Sequence, residues 1–206
     1  MNFESANLSP VPSGQYGGEV SSTNAIPGWT AFLGTNQTTQ VLQNNLTLGD
    51  ASIDILGPSW NGYGIIQGQY TIVLQPGANP FGSEFDNVSA SISQTGVVPE
   101  NAESLTFEAL LESSISVNLG GQELSLISLG SSGNANLYGA NIPTSLDGLS
   151  ETLTITALAA PNTADYFDAF AFSPSLVPEP SALGLLVLGA PFFAWRYRQK
   201  FHKTKA

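Results

Sequence analysis

The sequence predicts an all-β fold, an antiparallel two-sheet sandwich of jelly-roll type, followed by a single apolar helix at the C-terminus. Three observations predict it. Short runs alternate apolar and polar residues with a period of two, which turns one face of each run to a core and the other to water. Glycine and proline, 21 and 13 of the 206 residues, fall between those runs as turn formers. Before Ser181, no long stretch carries the three-to-four spacing of an amphipathic helix.

Taken in order, the candidate strands begin with Ala51 to Leu56 and Tyr70 to Leu74; in the first, Asp54 alternates onto the polar side. Val88, Ala90 and Ile92 alternate with serines, and Ser104 to Leu111 follows. Ile115, Val117 and Leu119 alternate with Ser114, Ser116 and Asn118, and Gln122 to Leu129 comes next. Leu153, Ile155 and Ala157 alternate with threonines, and Tyr166 to Phe172 closes the series. Asn61-Gly62, Gln75-Pro76-Gly77, Asp147-Gly148 and Ala160-Pro161-Asn162 supply turns. Gly120-Gly121 reads as a tight hairpin that pairs 114–119 with 122–129, because glycine accepts the positive φ such turns require. About nine to eleven short strands at this spacing suit a sandwich. No internal repeat is evident, which argues against a propeller or solenoid.

Charge is distributed unevenly. Arg196, Arg198, Lys200, Lys203 and Lys205 are the only basic residues, and His202 lies among them, so residues 1–195 hold all 16 acidic groups and no cation. Nucleic acid is thereby excluded as a partner of the body, since its binding relies on Lys and Arg. There is no cysteine, hence no disulfide or thiolate chemistry. A serine triad lacks its histidine and a phosphate loop lacks its lysine.

The chain therefore divides into a β domain over 1–174 and a tail over 175–206. Ser181 to Trp195, SALGLLVLGAPFFAW, is uncharged and apolar all round, which suits a membrane helix better than a core helix with one polar face. It is shorter than the roughly 20 residues of a comfortable span. The basic end at 196–206, with Arg196, Arg198 and Lys200 foremost, would stay on the cytoplasmic side and leave the body outside. Before the helix, at 177–181, stands Val177-Pro178-Glu179-Pro180-Ser181, held extended by its prolines.

These three parts in this order resemble the PEP-CTERM sorting tails. The resemblance implies that Pro178, Glu179 and Pro180 are recognised by an exosortase, a membrane transpeptidase-like cysteine protease, after transient anchoring in the inner membrane. It also implies export to the envelope or extracellular matrix of an exopolysaccharide-producing Gram-negative bacterium. An exported protein should open with a basic and then an apolar segment, whereas this sequence opens MNFESANLSP. Either Met1 is a misplaced start or the N-terminus lies upstream, and the first explanation is favoured here.

Phe3-Glu4, Pro27-Gly28-Trp29, the GQYTIVL of Gly68 to Leu74, and Phe167-Asp168 resemble scattered elements of the galactose-binding-like sandwich of carbohydrate-binding modules. That resemblance implies a structural calcium shared by Glu4 and Asp168, with backbone carbonyls completing a shell of six to eight oxygens; the alternative is two unconnected surface carboxylates.

Sugar hydrolysis needs two carboxylates facing one another. Asp50 with Asp54, Glu84 with Asp86, and Asp165 with Asp168 are the nearest couples, and a solvated acidic face accounts for them better. Sugar binding uses exposed aromatic rings. Trp29, Trp60, Tyr63 and Tyr138 sit beside loop residues, and Trp60-Asn61-Gly62-Tyr63 is the strongest cluster, nominating Trp60, Asn61 and Tyr63; core packing is the better reading of Trp29. The Asn-x-Ser/Thr sites at Asn7, Asn36, Asn45 and Asn87 read as chance in an Asn- and Ser-rich chain. The expectation is an exported, non-enzymatic surface or matrix protein that binds polysaccharide. Its alternatives are a matrix component without a specific ligand and, behind both, a carboxylate-based glycoside hydrolase or lyase.

Overall fold

The computed structural model describes residues 1–47, 49–60, 62–82 and 86–178. The chain divides into a compact unit of residues Met1–Leu176 and a second unit of Val177–Ala206. The proposed helix at 181–195, the basic end at 196–206, and Glu179 and Pro180 lie outside the described residues; Pro178 is exposed. No helix among the described residues is long and apolar enough to cross a membrane.

The first unit is all-β. Its elements begin with β1 (Glu19–Ser21), a single helical turn α1 (Ser22–Ala25), β2 (Thr30–Leu33), β3 (Asn36–Thr38), β4 (Gln40–Gln43), β5 (Ser52–Leu56) and β6 (Thr71–Gln75). They continue through β7 (Gly77–Ala78), β8 (Asn87–Val88), β9 (Ala90–Val97), β10 (Ser104–Leu110), β11 (Ile115–Leu119) and β12 (Gln122–Glu123). The last are β13 (Ile127–Ser132), β14 (Ala135–Asn141), a 3₁₀ turn at Thr144–Leu146, β15 (Ser150–Ala157) and β16 (Asp165–Ser173). An eight-stranded sheet runs β1-β4-β5-β6-β16-β10-β14-β13, a six-stranded sheet runs β12-β11-β15-β9-β2-β3, and β7 and β8 pair by themselves. Pairing is antiparallel except between β4 and β5.

Alternation explains how the two sheets share a core. Val117 and Leu119 of β11, and Leu153, Ile155 and Ala157 of β15, join one buried cluster with Leu105, Phe107 and Ala109 of β10 and Phe167 and Phe170 of β16. Phe167 and Phe170 are three residues apart, a spacing that in a regular strand would put them on opposite faces. An irregularity resolves the conflict: β16 carries an extra residue where Thr106 pairs with Ala171 but Glu108 pairs with Asp168. Ala169 takes that place with φ 55, a left-handed conformation costing about 1–2 kcal/mol for a residue with a Cβ. Both rings thereby face the core, stacked at a centroid distance of 6.4 Å.

Several expectations from sequence require correction. The hairpin turns at Gly120 and Gly121, φ 58 and 78, but only Gln122 and Glu123 pair with β11. Leu124 is buried in the core, and from Ile127 the chain runs antiparallel to β14 in the other sheet. The segment 122–129 is thus a corner between sheets, because Leu124 and the half-buried Leu126 both seek the apolar space between them. Strands β1 to β4 and β14, which sequence did not single out, are short or interrupted by glycine and polar residues. Their partners in the sheets stabilise them.

The polar side of β5 and β6 is not solvated either. Every residue of both strands is buried, because the segment from Gly57 to Tyr70 and the half-buried Leu46 cover the outer face of the eight-stranded sheet. Trp60, Ile65, Ile66 and Leu46 pack there on a second apolar cluster of Leu56, Val73, Ala164 and Tyr166. Asp54 and Asp168 are accordingly buried, at 0% and 1% exposure, and Asp165, on the opposite side of β16 from Asp168, is buried at 0% as well, which overturns the solvated-face reading for all three.

Candidate functional site

The covering segment is pinned by side chains from four places in the chain. Asn44, itself buried and at φ 49, accepts the Gly57 N–H on Oδ1 at 2.7 Å and donates from Nδ2 to Ser59 Oγ at 3.0 Å. The Trp60 N–H closes a turn onto the Gly57 carbonyl at 2.8 Å. Further along, Asn134 Nδ2 donates to the Ile65 carbonyl at 2.8 Å and the Ile66 N–H donates to Thr71 Oγ1 at 3.0 Å. Glu4 Oε1 accepts the N–H groups of Gln69 and Tyr70 at 2.9 and 3.1 Å.

Held in this way, Trp60 is half-buried, with its inner edge on the second apolar cluster and its outer side in a cleft of about 230 Å³. Gly14, Gln15, Tyr16, Ser59 and Gly62 line the rest of the cleft. Tyr16 is 75% exposed, its ring free to meet a ligand. Gly62 is required by close approach: a Cβ there would stand 2.7 Å from the indole ring. The indole Nε1 donates to the Tyr63 carbonyl at 3.0 Å, so Trp60 offers a ligand its ring and no hydrogen bond. Ser59 Oγ accepts from Asn44 and therefore keeps its own hydrogen to donate. Gln15 supplies an amide that both donates and accepts. A planar apolar surface with a few oriented polar groups is the surface on which a pyranose ring stacks while its hydroxyls are hydrogen-bonded.

Of the residues nominated from sequence, Trp60 and Tyr63 are in or beside this site. Tyr63 is 65% exposed and meets Tyr166 edge-on at 6.4 Å. Asn61 lies outside the described residues. Tyr16 was missed, although Gly14-Gln15-Tyr16-Gly17-Gly18 carries the signal used for Trp60, an aromatic among loop formers. Tyr138 is no surface ring: it is half-buried on β14 and stacks on Phe107 at 5.7 Å. Trp29 is core, packed on Phe3 and Phe170, each at 5.8 Å.

Glu4 and Asp168 come from opposite ends of the domain, and the structure brings them close enough for Glu4 to contribute to raising the Asp168 carboxyl. Burial is the main cause, and the pKa reaches about 6. Asp168 Oδ1 accepts the Ala169 N–H at 2.7 Å and Oδ2 accepts Thr71 Oγ1 at 3.2 Å. Three of the four carboxylate oxygens of the pair are thus engaged by N–H and O–H donors. Among the described residues, moreover, no group of three or more His, Cys, Asp or Glu is placed to hold a metal ion. As arranged, the pair clamps the covering segment and the irregular turn of β16.

Neither Asp50 with Asp54 nor Asp165 with Asp168 faces one cleft. Asp50 is exposed whereas Asp54 is sealed, and Glu84 lies outside the described residues. Asp165 and Asp168, an odd number of residues apart, point to opposite sides of β16. Asp165 caps the turn after β10, with Oδ1 accepting the N–H groups of Glu112 and Ser113 at 2.7 and 2.9 Å and Oδ2 accepting Ser113 Oγ. Burial pushes Asp54 up to about 7, although Ser52, Gln75 and the Asn45 N–H all favour its charged form. Its Oδ2 accepts Ser52 Oγ at 3.1 Å and Gln75 Nε2 at 3.0 Å, while Oδ1 has no hydrogen-bond partner of normal geometry. A carboxyl poised near neutrality suits a general acid, but this one is 0% exposed and no substrate reaches it.

No family model matches the chain, and no curated protein matches it. Among solved structures, the carbohydrate-binding module TmCBM61 in complex with β-1,4-galactotriose is similar at a TM-score of 0.38 and 12% identity, over 71% of this chain and 88% of that one. A likeness that distant says nothing of what this chain binds.

Proposed function

We propose that this chain is an exported, non-catalytic β-sandwich that binds polysaccharide through the Trp60 cleft and is delivered by a PEP-CTERM-type tail. The observation that carries the binding half is the arrangement of Trp60, Tyr16, Ser59 and Gln15: a half-buried indole face, an exposed phenol ring and two polar side chains around one cleft. The delivery half rests on the order Pro178-Glu179-Pro180, apolar run, basic end, which suits recognition by an exosortase after transient insertion in the inner membrane. A mature form freed of the basic end would belong in the envelope or matrix, where polysaccharide is the abundant ligand.

Binding is tested on a glycan array followed by calorimetry. Saturable binding that Trp60→Ala weakens about tenfold or more, the equivalent of about 1.4 kcal/mol, supports the reading. Silence across the array, or binding indifferent to Trp60→Ala and Tyr16→Ala, leaves a matrix component without a specific ligand. Delivery is tested by fractionating cells that express the full chain: replacing Pro178, Glu179 and Pro180 with alanine should hold the protein in the inner membrane at its unprocessed mass. Processing that survives the replacement would remove the exosortase from the account.

A further inference from the structure

We infer that the Trp60 cleft selects uncharged glycan chains and rejects polyuronates and other polyanionic polysaccharides. The inference rests on the polysaccharide-binding reading and adds the class of chain. Two observations carry it. First, none of the residues lining the cleft, Gly14, Gln15, Tyr16, Ser59, Trp60 and Gly62, is charged, so neither a carboxylate nor an ammonium group on a sugar would meet a counter-charge there. Second, the chain carries 16 acidic side chains, all but Glu179 in the β domain, and no Lys, Arg or His before Arg196. A polyuronate brings a negative charge on every sugar into the field of a domain that carries carboxylates and no cation to offset them. At about 0.1 M salt, charges interact over about 10 Å, which spans more than one sugar.

The hydrogen-bonding groups agree with a neutral ligand. Ser59 donates, and Gln15 donates and accepts; sugar hydroxyls do both, so they pair with either group. A sugar carboxylate only accepts and would find one hydroxyl and one amide where it requires a cation or several N–H groups to leave water. Trp60 contributes only its ring, which favours an apolar pyranose face over a charged substituent.

The experiment uses the full chain in neutral detergent, with Trp60→Ala as the baseline, so that binding by the cationic tail is subtracted. The probes are a neutral β-galactan, a neutral β-glucan, alginate as the polyuronate, and chitosan as the polycation, each at about 20 mM and about 300 mM salt. The expected result is Trp60-dependent binding of at least one neutral glycan, changing less than about twofold between the two salts. Alginate should show no Trp60-dependent binding at either salt, and Gln15→Lys should confer it at low salt. Trp60-dependent binding of alginate by the unaltered chain would overturn the inference while leaving the glycan reading intact. So would chitosan binding that exceeds neutral binding and falls steeply with salt. Absence of Trp60-dependent binding to all four probes would overturn the glycan reading itself, and the selectivity with it.

Discussion

On the six-stranded sheet, Thr152, Thr154 and Thr156 of β15 keep contact with water; on the eight-stranded sheet, Ser52, Asp54 and Leu56 of β5 keep none. The two strands alternate in the same way, and what separates them is a second layer. Residues 57–60 and 62–70 lie over β5 and β6 of the larger sheet, and no described segment lies over the threonines. The covered face thereby acquires a small apolar cluster, two buried aspartates, Asp54 and Asp168, and the indole that forms the cleft. Polar residues on a strand thus signal a face turned away from the main core, and only the layer above decides whether that face is wet.

The largest test of this contrast compares one side chain from each face. Tyr166→Ala removes a ring buried beneath the covering segment and is expected to cost about 3–5 kcal/mol in urea denaturation, whereas Thr154→Ala should stay within about 0.5 kcal/mol. Equal losses would mean that the second layer contributes little.

Next in size is the pH dependence. The ordinary pKa of Asp54 is 3.8 and its folded value is about 7, so the native state holds the proton more tightly than the unfolded chain. The stability linked to that proton is complete below about pH 4 and is lost as pH rises through about 7, a change of a few kcal/mol. Asp168, raised to about 6 chiefly by burial, acts in the same direction. The protein should therefore melt higher at pH 5 than at pH 8, and Asp54→Asn should flatten most of that slope. A melting temperature that rises from pH 5 to pH 8 in the parent would show that Asp54 is not sealed.

The pins of the covering segment come third. Asn44→Ala leaves the Gly57 N–H and Ser59 Oγ without their partner and should cost about 1–3 kcal/mol. It should also shift the Trp60 fluorescence toward that of a solvated indole, with Trp29 and Trp195 as the constant background. Gly62→Ala should displace the indole with little loss of stability and so weaken glycan binding more than folding. The smallest expected effect is that of calcium. With three of the four carboxylate oxygens of Glu4 and Asp168 engaged by N–H and O–H groups, calcium in place of a chelator should leave the melting temperature unchanged. An increase that is lost in Glu4→Ala or Asp168→Ala would restore the metal to that site.

Legibility followed the range of the forces involved. Strands β9, β11 and β15 and the Gly120-Gly121 turn could be read locally, because alternation and positive φ are properties of a few adjacent residues. Trp60 was legible by its setting among loop formers, and Tyr16 would have been by the same rule. The sheet exchange at Leu124 was not read, although the alternation of Leu124 and Leu126 breaks phase at Ile127 and Leu129, because a phase break does not say which sheet the chain joins next. Nor was the pairing of Glu4 with Asp168, for which sequence required a resemblance.

By itself the sequence determined an acidic, cysteine-free, strand-rich body without cations, and the placing of every basic residue behind one apolar run, because composition and short-range periodicity need no partner. Only the tertiary structure decided that Asp54, Asp165 and Asp168 are buried, that Phe167 and Phe170 share a face through the irregular turn at Ala169, and that Trp60 presents its ring beside Tyr16. Burial depends on what distant segments place overhead, and no window of neighbouring residues contains that information.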